Sequence, residues 1–488
     1  MTSAQLCETV TGHSMAELLV ARNSATAGDM VELRLDGVRD LDVAAALHGR
    51  RCPVIVTVRP VWEGGRFDGS ENDRRMLLGR ALDLGAEFID VEWQAGFTDL
   101  IARAPDRVIV SSHDFNGIPT DLEARVLAMR RTGAAVVKIA ITPARLTDTL
   151  PLKAIARDGD AVVIGMGDAG MPSRLLATRF GSRWTYAGDG IAPGQIPARQ
   201  MIERYRFREV DADTAIYGVV SANARHSLSP LMHNAAFAAA GLNAVYVPLR
   251  AADFDDFLAF GEALPIAGAS ITIPFKLDAL RCSRAADELT RFVGAANTLR
   301  RGTGGWDATN TDVAGFLAPL ESLLAGGASG DRVPAMSSAI RAAVLGAGGA
   351  ARAVVAALRS RGVAVTVHAR RQEQAQDLAA LGATPAAMPP APGSWDLLVN
   401  TTPLGGAALR DESPLPGGPF DGRVVYDLTY GAGESRLLRD ARAAGCQVLD
   451  GLPMLIAQAE RQFEWWTGQR PAAGVMAGAI GAYASHNL

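Results

Sequence analysis

The sequence predicts an α/β chain in which a (β/α)8 barrel is followed by a two-lobed α/β unit. Three observations carry that prediction. Eight short apolar strand-like segments, LCETV, VELRL, VIVTV, FIDVE, VIVSS, VVKIAI, AVVIGM and WTYA, succeed one another between Leu6 and Ala187. Stretches with helical apolar spacing, such as Asp73 to Leu84 and Asp121 to Thr132, lie between several of them. A second series of alternating strands and helices then begins at Ala215 to Val220, after the periodicity lapses across Arg206 to Thr214.

The length agrees with more than one hydrophobic core, since 488 residues exceed what one ordinary core supports. Charged residues make up 20% and the formal net charge is -4, with no block of one sign, so no nucleic-acid surface or basic membrane patch is expected. The four cysteines, Cys7, Cys52, Cys282 and Cys446, are scattered and form no CxxC pair, which argues against a disulfide framework and a zinc site. No secretory pattern opens the chain, and the apolar run from Gly474 is too short to span a bilayer. A cytoplasmic enzyme acting on small molecules is the expectation, with its oligomeric state open.

In a barrel, chemistry gathers at the C-terminal ends of the strands. Arg34 and Asp36, Arg59, Glu92, His113, Lys138 and Arg174 fall at or just beyond those ends. Lys138 sits in Val-Val-Lys-Ile-Ala-Ile, where burying an ammonium costs several kcal/mol unless it is paired or neutral. On that run alone, a strand-end lysine reaching water is the favoured reading. Its neighbours reverse it. His113 ends strand five, where an imidazole can move a proton near neutral pH. Thr57 to Gly65 sets Arg59 and Glu63 before two glycines, while Met166-Gly167, Ser173-Arg174 and Ala192-Pro193-Gly194-Gln195 add a cation and an amide. Such cations fix a carboxylate bidentately and depress the pKa of a nearby lysine.

With Glu32-Leu33-Arg34-Leu35-Asp36, Ser112-His113-Asp114-Phe115 and Lys138-Ile139-Ala140 added, residues 1–209 resemble type I 3-dehydroquinate dehydratase. The resemblance implies that Lys138 forms a Schiff base with a substrate ketone, that His113 moves the protons and that Glu63 orients His113. It further implies that Arg174 grips the substrate carboxylate and that Glu32, Arg34, Arg59 and Gln195 bind ring oxygens. Ile191 departs from the small hydroxyl residue common four before the glutamine.

The second unit divides at the Gly/Ser/Pro-rich stretch Gly326 to Ser338, giving a substrate lobe over 214–325 with 453–488 and a nucleotide lobe over 326–452. His226-Ser227-Leu228-Ser229-Pro230 leads into an apolar helix, with Pro230 suited to its first turn; two hydroxyls there suit an anion, although serines at that place are also ordinary caps. Lys276 follows a strand and Asp312 opens a helix, a pair suited to exchanging an alcohol proton, while Asn297 adds an amide. The run Ala342 to Leu345, the turn Gly346-Ala347-Gly348-Gly349-Ala350 and the helix from Arg352 make the strand–turn–helix that holds a pyrophosphate in a Rossmann lobe. The next strand ends in Ala369-Arg370-Arg371 with no acid for a ribose hydroxyl, which favours NADP over NAD.

These residues, with Asn400-Thr401-Thr402-Pro403 and the closing helix to Gln458, resemble shikimate dehydrogenase. That resemblance implies Ser227 and Ser229 on the substrate carboxylate, Lys276 and Asp312 as catalytic pair, and Thr272, Asn297 and Gln458 on ring hydroxyls. Gly346, Gly348, Gly349, Ala350, Arg370, Asn400 and Thr401 are the expected cofactor contacts. Ser270, Ala369 and Arg371 depart from the family pattern. The two resemblances name consecutive steps on one ring acid, so a bifunctional shikimate-pathway enzyme is expected. Its alternatives are a second half acting mainly on quinate, or a non-catalytic sensor of the ring acid.

Overall fold

The computed structural model describes residues 3–191, 193–223, 227–325, 339–406, 409–431 and 433–487. Ala192, His226 and the stretch Gly326 to Ser338 lie outside them. By spatial contact the chain separates into two compact units, Met1–Pro230 with Gly241–Ile266, and Leu231–Ala240 with Ala267–Leu488.

The eight expected strands all form: β1 (Gln5–Thr11), β2 (Met30–Arg34), β3 (Val54–Thr57), β4 (Phe88–Glu92), β5 (Val108–His113), β6 (Val136–Ile141), β7 (Ala161–Gly165) and β8 (Trp184–Ala187). They make one sheet of order β7-β6-β5-β4-β3-β2-β1-β8, parallel in every ladder. This is a near-barrel. At the β7/β8 seam a serine stands in for part of a ladder: Val163 N donates to Ser182 Oγ (3.1 Å), which donates to Trp184 O (2.8 Å), while Arg183 N donates to Ala161 O (3.0 Å).

Side chains alternate along a strand, so residues two apart share a face. Cys7, Met30, Ile55, Ile109, Val136, Val162 and Trp184 form one buried apolar cluster inside the sheet. Two residues further along the same strands come Thr9, Glu32, Thr57, Ser111, Lys138, Ile164 and Tyr186, joined by Asp90 of β4. The apolar layer seals one end and a polar layer floors the other. Lys138 is therefore not a strand-end residue reaching water. It is third of six in β6, in register with Ser111 and Val162, and only 3% exposed.

A second sheet has the order β10-β9-β11-β13-β14-β12, from β9 (Ala215–Ser221), β10 (Ala244–Arg250), β11 (Ile266–Ile271), β12 (Ala285–Ala286), β13 (Thr298–Gly302) and β14 (Gly305–Thr309). The third, parallel sheet is β17-β16-β15-β18-β19-β20, from β15 (Arg341–Leu345), β16 (Ala364–His368), β17 (Thr384–Ala386), β18 (Leu397–Asn400), β19 (Val424–Asp427) and β20 (Gln447–Leu449). Helix Gly349–Ser360 buries Ala353, Val354, Ala356, Ala357 and Leu358 in the core of that lobe, together with β15 residues Ala342 and Val344.

Candidate active sites

The barrel cleft is lined by Glu32, Arg34, Arg59, Glu63, His113, Lys138, Arg174 and Gln195, so the eight barrel residues to which the resemblance gives a role meet there, while Asp36 and Glu92 lie outside the lining. Lys138 Nζ lies 2.9 Å from Asp90 Oδ2 and 3.5 Å from Glu32 Oε1, and 4.2 Å above the Tyr186 ring. Burial alone would raise the Asp90 carboxyl, but Arg59 and Lys138 hold it far below the usual carboxylate range. Thr9 and Thr57 hydroxyls donate to Glu32 (3.0 and 2.8 Å), fixing the second acid beneath the amine.

Arg59 bridges the two acids of β4, reaching Asp90 at 3.0 Å and Glu92 at 2.7 Å, and donates to Ser111 Oγ at 2.9 Å. Glu92 also contacts Arg74, a fully buried arginine from helix Glu71–Asp83. Asp90, Ser111, Arg74 and Tyr186 were not singled out by sequence, and Glu92 was noted only by position.

Glu63 sits on the turn after β3. Its Oε1 accepts from the His113 backbone N–H (2.9 Å) and contacts His113 Nδ1 (2.9 Å). Burial pushes the Glu63 carboxyl up to about 7, against the pull of Arg59. Burial, with Arg59 and Lys138 nearby, pushes His113 well below its ordinary value, so the imidazole is neutral and able to accept a proton. Gly64 turns at φ +76°, and a Cβ there would fall 2.5 Å from the Phe115 ring, which stacks at 13° on His113. Only glycine lets that ring close in.

Arg174 lies on helix Gly167–Leu175 rather than at a strand end, and is 2% exposed. It donates to three backbone carbonyls, Gly165 O, Tyr186 O and Pro193 O, at 3.2 to 3.4 Å, and no carboxylate pairs with it among the described residues. Burial lowers it to about 10. Elsewhere in the cleft Arg34 is held bidentately by Asp36 (2.8 and 2.9 Å), and Gln195 Nε2 donates to Thr9 Oγ1 (3.3 Å).

In the second unit, Lys276 opens helix Lys276–Arg281 and its Nζ lies 2.5 Å from Asp312 Oδ2. Asn297 Nδ2 contacts Asp312 Oδ1 (2.8 Å), Thr311 Oγ1 (2.9 Å) and Gln458 Oε1 (3.0 Å), tying four expected residues into one cluster. Asn310 Oδ1 accepts from Asp312 N (3.0 Å), anchoring the helix start. Gln462, one turn beyond Gln458 and missed by sequence, donates to Gln458 Oε1 (3.2 Å) and accepts from Ser270 Oγ (2.7 Å). The serine that departs from the family pattern is thus engaged. Thr272 is half-buried on the loop after β11, where its carbonyl accepts from Phe275 N (2.9 Å). Ser229 opens helix Ser229–Ala239, and its N–H donates to Ser227 Oγ at 3.2 Å.

After β15, Gly346 turns at φ +103°, where a Cβ would fall 2.6 Å from Thr401 Oγ1. Helix Gly349–Ser360 begins with no side-chain cap, and nothing lies within 4 Å of where a Cβ on Gly348 would stand. The first turn of the helix thus lacks a side-chain acceptor for its N–H groups, a fit for a pyrophosphate. Ala350 lies in that first turn. Thr401 Oγ1 donates to Leu345 O (2.7 Å), closing the turn from below. Asn400 is fully buried, with its amide donating to Leu404 O and Asp427 Oδ1 (both 2.9 Å), so it braces the loop after β18. Arg370 and Arg371 are exposed after β16, with no ion pair among the described residues.

Comparison with known proteins finds relatives for both halves of the chain. Residues 6–212 match the family model for type I 3-dehydroquinase, 219–299 that for the shikimate dehydrogenase substrate binding domain, and 451–480 that for the shikimate 5'-dehydrogenase C-terminal domain. A shikimate dehydrogenase (NADP(+)) from Moorella thermoacetica is 40% identical over 286 residues, 55% of this chain and 93% of its own length. A chorismate mutase/shikimate 5-dehydrogenase fusion protein from Clostridium acetobutylicum aligns in structure with a TM-score of 0.50 and 25% identity, covering 56% of this chain and 98% of that one. The chloroplastic bifunctional 3-dehydroquinate dehydratase/shikimate dehydrogenase of Arabidopsis thaliana is 33% identical over 493 aligned residues, 95% of this chain and 82% of the relative. With a dehydratase-like cleft in the barrel and a Lys/Asp pair in the unit that follows, the chain belongs to the bifunctional 3-dehydroquinate dehydratase/shikimate dehydrogenases.

Proposed function

We propose that the barrel dehydrates 3-dehydroquinate through an imine at Lys138, and that the second unit reduces the resulting 3-dehydroshikimate with NADPH. The observation that carries the first step is a lysine inside a buried strand, held between Asp90 and Glu32. Lys138 as free amine adds to the C3 ketone, and water leaves to form the imine. Neutral His113 takes the adjacent C–H proton, and the electron pair moves into the C–N system. The same imidazolium then protonates the departing C1 hydroxyl, so one water is lost overall, and hydrolysis frees Lys138. Glu63 holds His113 for both transfers. Arg174, which among the described residues has only carbonyl partners, binds the ring carboxylate, with Glu32, Arg34, Arg59 and Gln195 on the ring oxygens.

In the second unit, bound NADPH supplies hydride to the carbonyl carbon. Lys276 Nζ gives a proton to the forming alcohol oxygen, and Asp312, itself contacted by the Asn297 amide, holds that amine in place. Thr272, Asn297 and Gln458 bind ring hydroxyls, and Ser227 and Ser229 the carboxylate. Gly346, Gly348, Gly349 and Ala350 give the pyrophosphate its turn and N–H groups, Thr401 closes that turn, Asn400 braces the loop after β18 on the cofactor side, and Arg370 meets the 2'-phosphate. The division of labour is 1–209 for dehydration, 214–325 with 453–488 for the substrate lobe and 326–452 for the nucleotide lobe. A cytoplasmic location is part of the proposal, although the Arabidopsis relative is chloroplastic. Among the described residues no helix is long and apolar enough to cross a membrane.

Borohydride added with 3-dehydroquinate tests the imine. Reduction should fix ligand mass on the peptide carrying Lys138; mass elsewhere, or none, rejects the covalent route. For the cofactor, Arg370→Ala should raise the KM for NADPH by about tenfold, about 1.4 kcal/mol of lost binding, and change NADH use little. Equal effects on both cofactors reject the phosphate contact.

A further inference from the structure

We propose that Asp256, on helix Phe254–Ala263 after β10, is a positioning residue for the dehydration carried out in the barrel. The proposal rests on the assignment of dehydration to the Lys138 cleft. Asp256 is fully buried, and neither set of catalytic candidates uses it. Its Oδ1 accepts from Thr147 N (3.0 Å) and Thr147 Oγ1 (2.8 Å), and its Oδ2 from Leu146 N (2.9 Å) and Ala252 N (3.0 Å). Three of those four donors belong to the barrel loop that follows β6. The helix does not need Asp256 as its cap, because Asp253 Oδ1 already accepts from Asp256 N (2.8 Å). A buried carboxylate filled by donors from another element fixes that element, because moving away would leave those buried N–H groups without an acceptor.

Around this centre, Arg250 Nη1 donates to Ala144 O (2.9 Å), and Arg145 pairs with Asp253 (2.8 Å). The Arg145 pair is about half exposed and adds little. From the pinned loop the connection runs inward. Thr142, the residue after β6, donates from its N–H to Gly117 O (3.0 Å) and from its hydroxyl to Asp114 O (2.9 Å), while Asp114 N donates to Ala140 O (2.8 Å). The loops after β5 and β6 are therefore knit together beside His113, and Asp256 holds the outer end. Arg34, Arg59 and Arg174 lie on other elements, outside this chain of bonds. Loosening it should misplace proton transfer and spare substrate binding.

The test uses the full chain with Asp256→Ala and, as a milder change that keeps the buried carboxylate, Thr147→Val. Dehydration is measured per site trapped by borohydride with 3-dehydroquinate, which removes any effect of misfolded protein. Asp256→Ala should lower kcat per trappable site about tenfold and Thr147→Val about threefold. KM should stay within about twofold, as should NADPH-dependent reduction of 3-dehydroshikimate. Should Asp256→Ala fail to fold, Thr147→Val decides. An unchanged kcat per trappable site, a loss confined to KM, or an equal fall in both activities overturns the proposal. If the unsubstituted protein traps no ligand, the Lys138 assignment fails first and this proposal with it.

Discussion

Lys138→Ala is expected to lower dehydration of 3-dehydroquinate by several orders of magnitude while NADPH-dependent reduction of supplied 3-dehydroshikimate stays near its normal rate. Only one other lysine, Lys153, precedes residue 210, and it lies on the helix Leu150–Ile155, where its Nζ donates to Ala263 O (3.2 Å). Lys153 is not among the residues that line the cleft. General-base catalysis by His113 cannot replace covalent activation, because without the imine the developing carbanion has no electron sink beyond the bare carbonyl. The substitution removes one cation from Asp90 yet leaves Arg59 at 3.0 Å, so the buried carboxylate keeps a partner and the barrel should fold. Rates of both half-reactions on protein checked by circular dichroism measure the outcome. Substantial residual dehydration would reject the imine, and loss of both activities in folded protein would reject independent sites.

The barrel strands were legible because parallel strands buried on both faces read as unbroken apolar runs, and each departure from the run is then conspicuous. Lys138 stands out in VVKIAI for that reason. Its setting was not legible, since a strand lysine facing the lumen and one reaching water share the same local sequence. Asp90 in FIDVE interrupts its strand just as sharply, but its meaning depends on Lys138, 48 positions away, and on Arg59. Arg74 was hidden more thoroughly. ENDRRMLLGR reads as a solvated helix face, yet Arg74 is fully buried because Glu92, 18 residues later, supplies its counter-charge. Period could have found Gln462, which lies four residues, one helical turn, beyond Gln458 and shares its bond to that amide. The glycine turn was the most legible part of the nucleotide lobe, because Gly346 at φ +103° and the uncapped helix after it are backbone requirements written directly in residue type.

Lys276→Ala should produce the mirror-image defect, with reduction of 3-dehydroshikimate falling about 10²- to 10⁴-fold and dehydration unaffected. Lys276 Nζ is 2.5 Å from Asp312, and the remaining contacts of that carboxylate, Asn297 Nδ2 and the Asn310-anchored helix start, stay in place without the lysine. The lesion is then the missing proton donor rather than a collapsed site. Lys276 also packs against the nucleotide turn, since a Cβ on Gly349 would stand 3.2 Å from its Cδ. Lys276→Met, which keeps that stem and removes the charge, separates the two roles. It should be as slow as Lys276→Ala in turnover while holding NADPH at the normal KM. A mixture of Lys138→Ala and Lys276→Ala proteins should convert 3-dehydroquinate to shikimate, because each supplies the half-reaction the other lacks and the intermediate crosses through solution. A mixture that stays inactive, although each variant retains its own half-reaction on supplied substrate, would mean that 3-dehydroshikimate made on one protein is not released to the other, and would reject exchange through solution. Loss of dehydration in folded Lys276→Ala would instead couple the two sites directly.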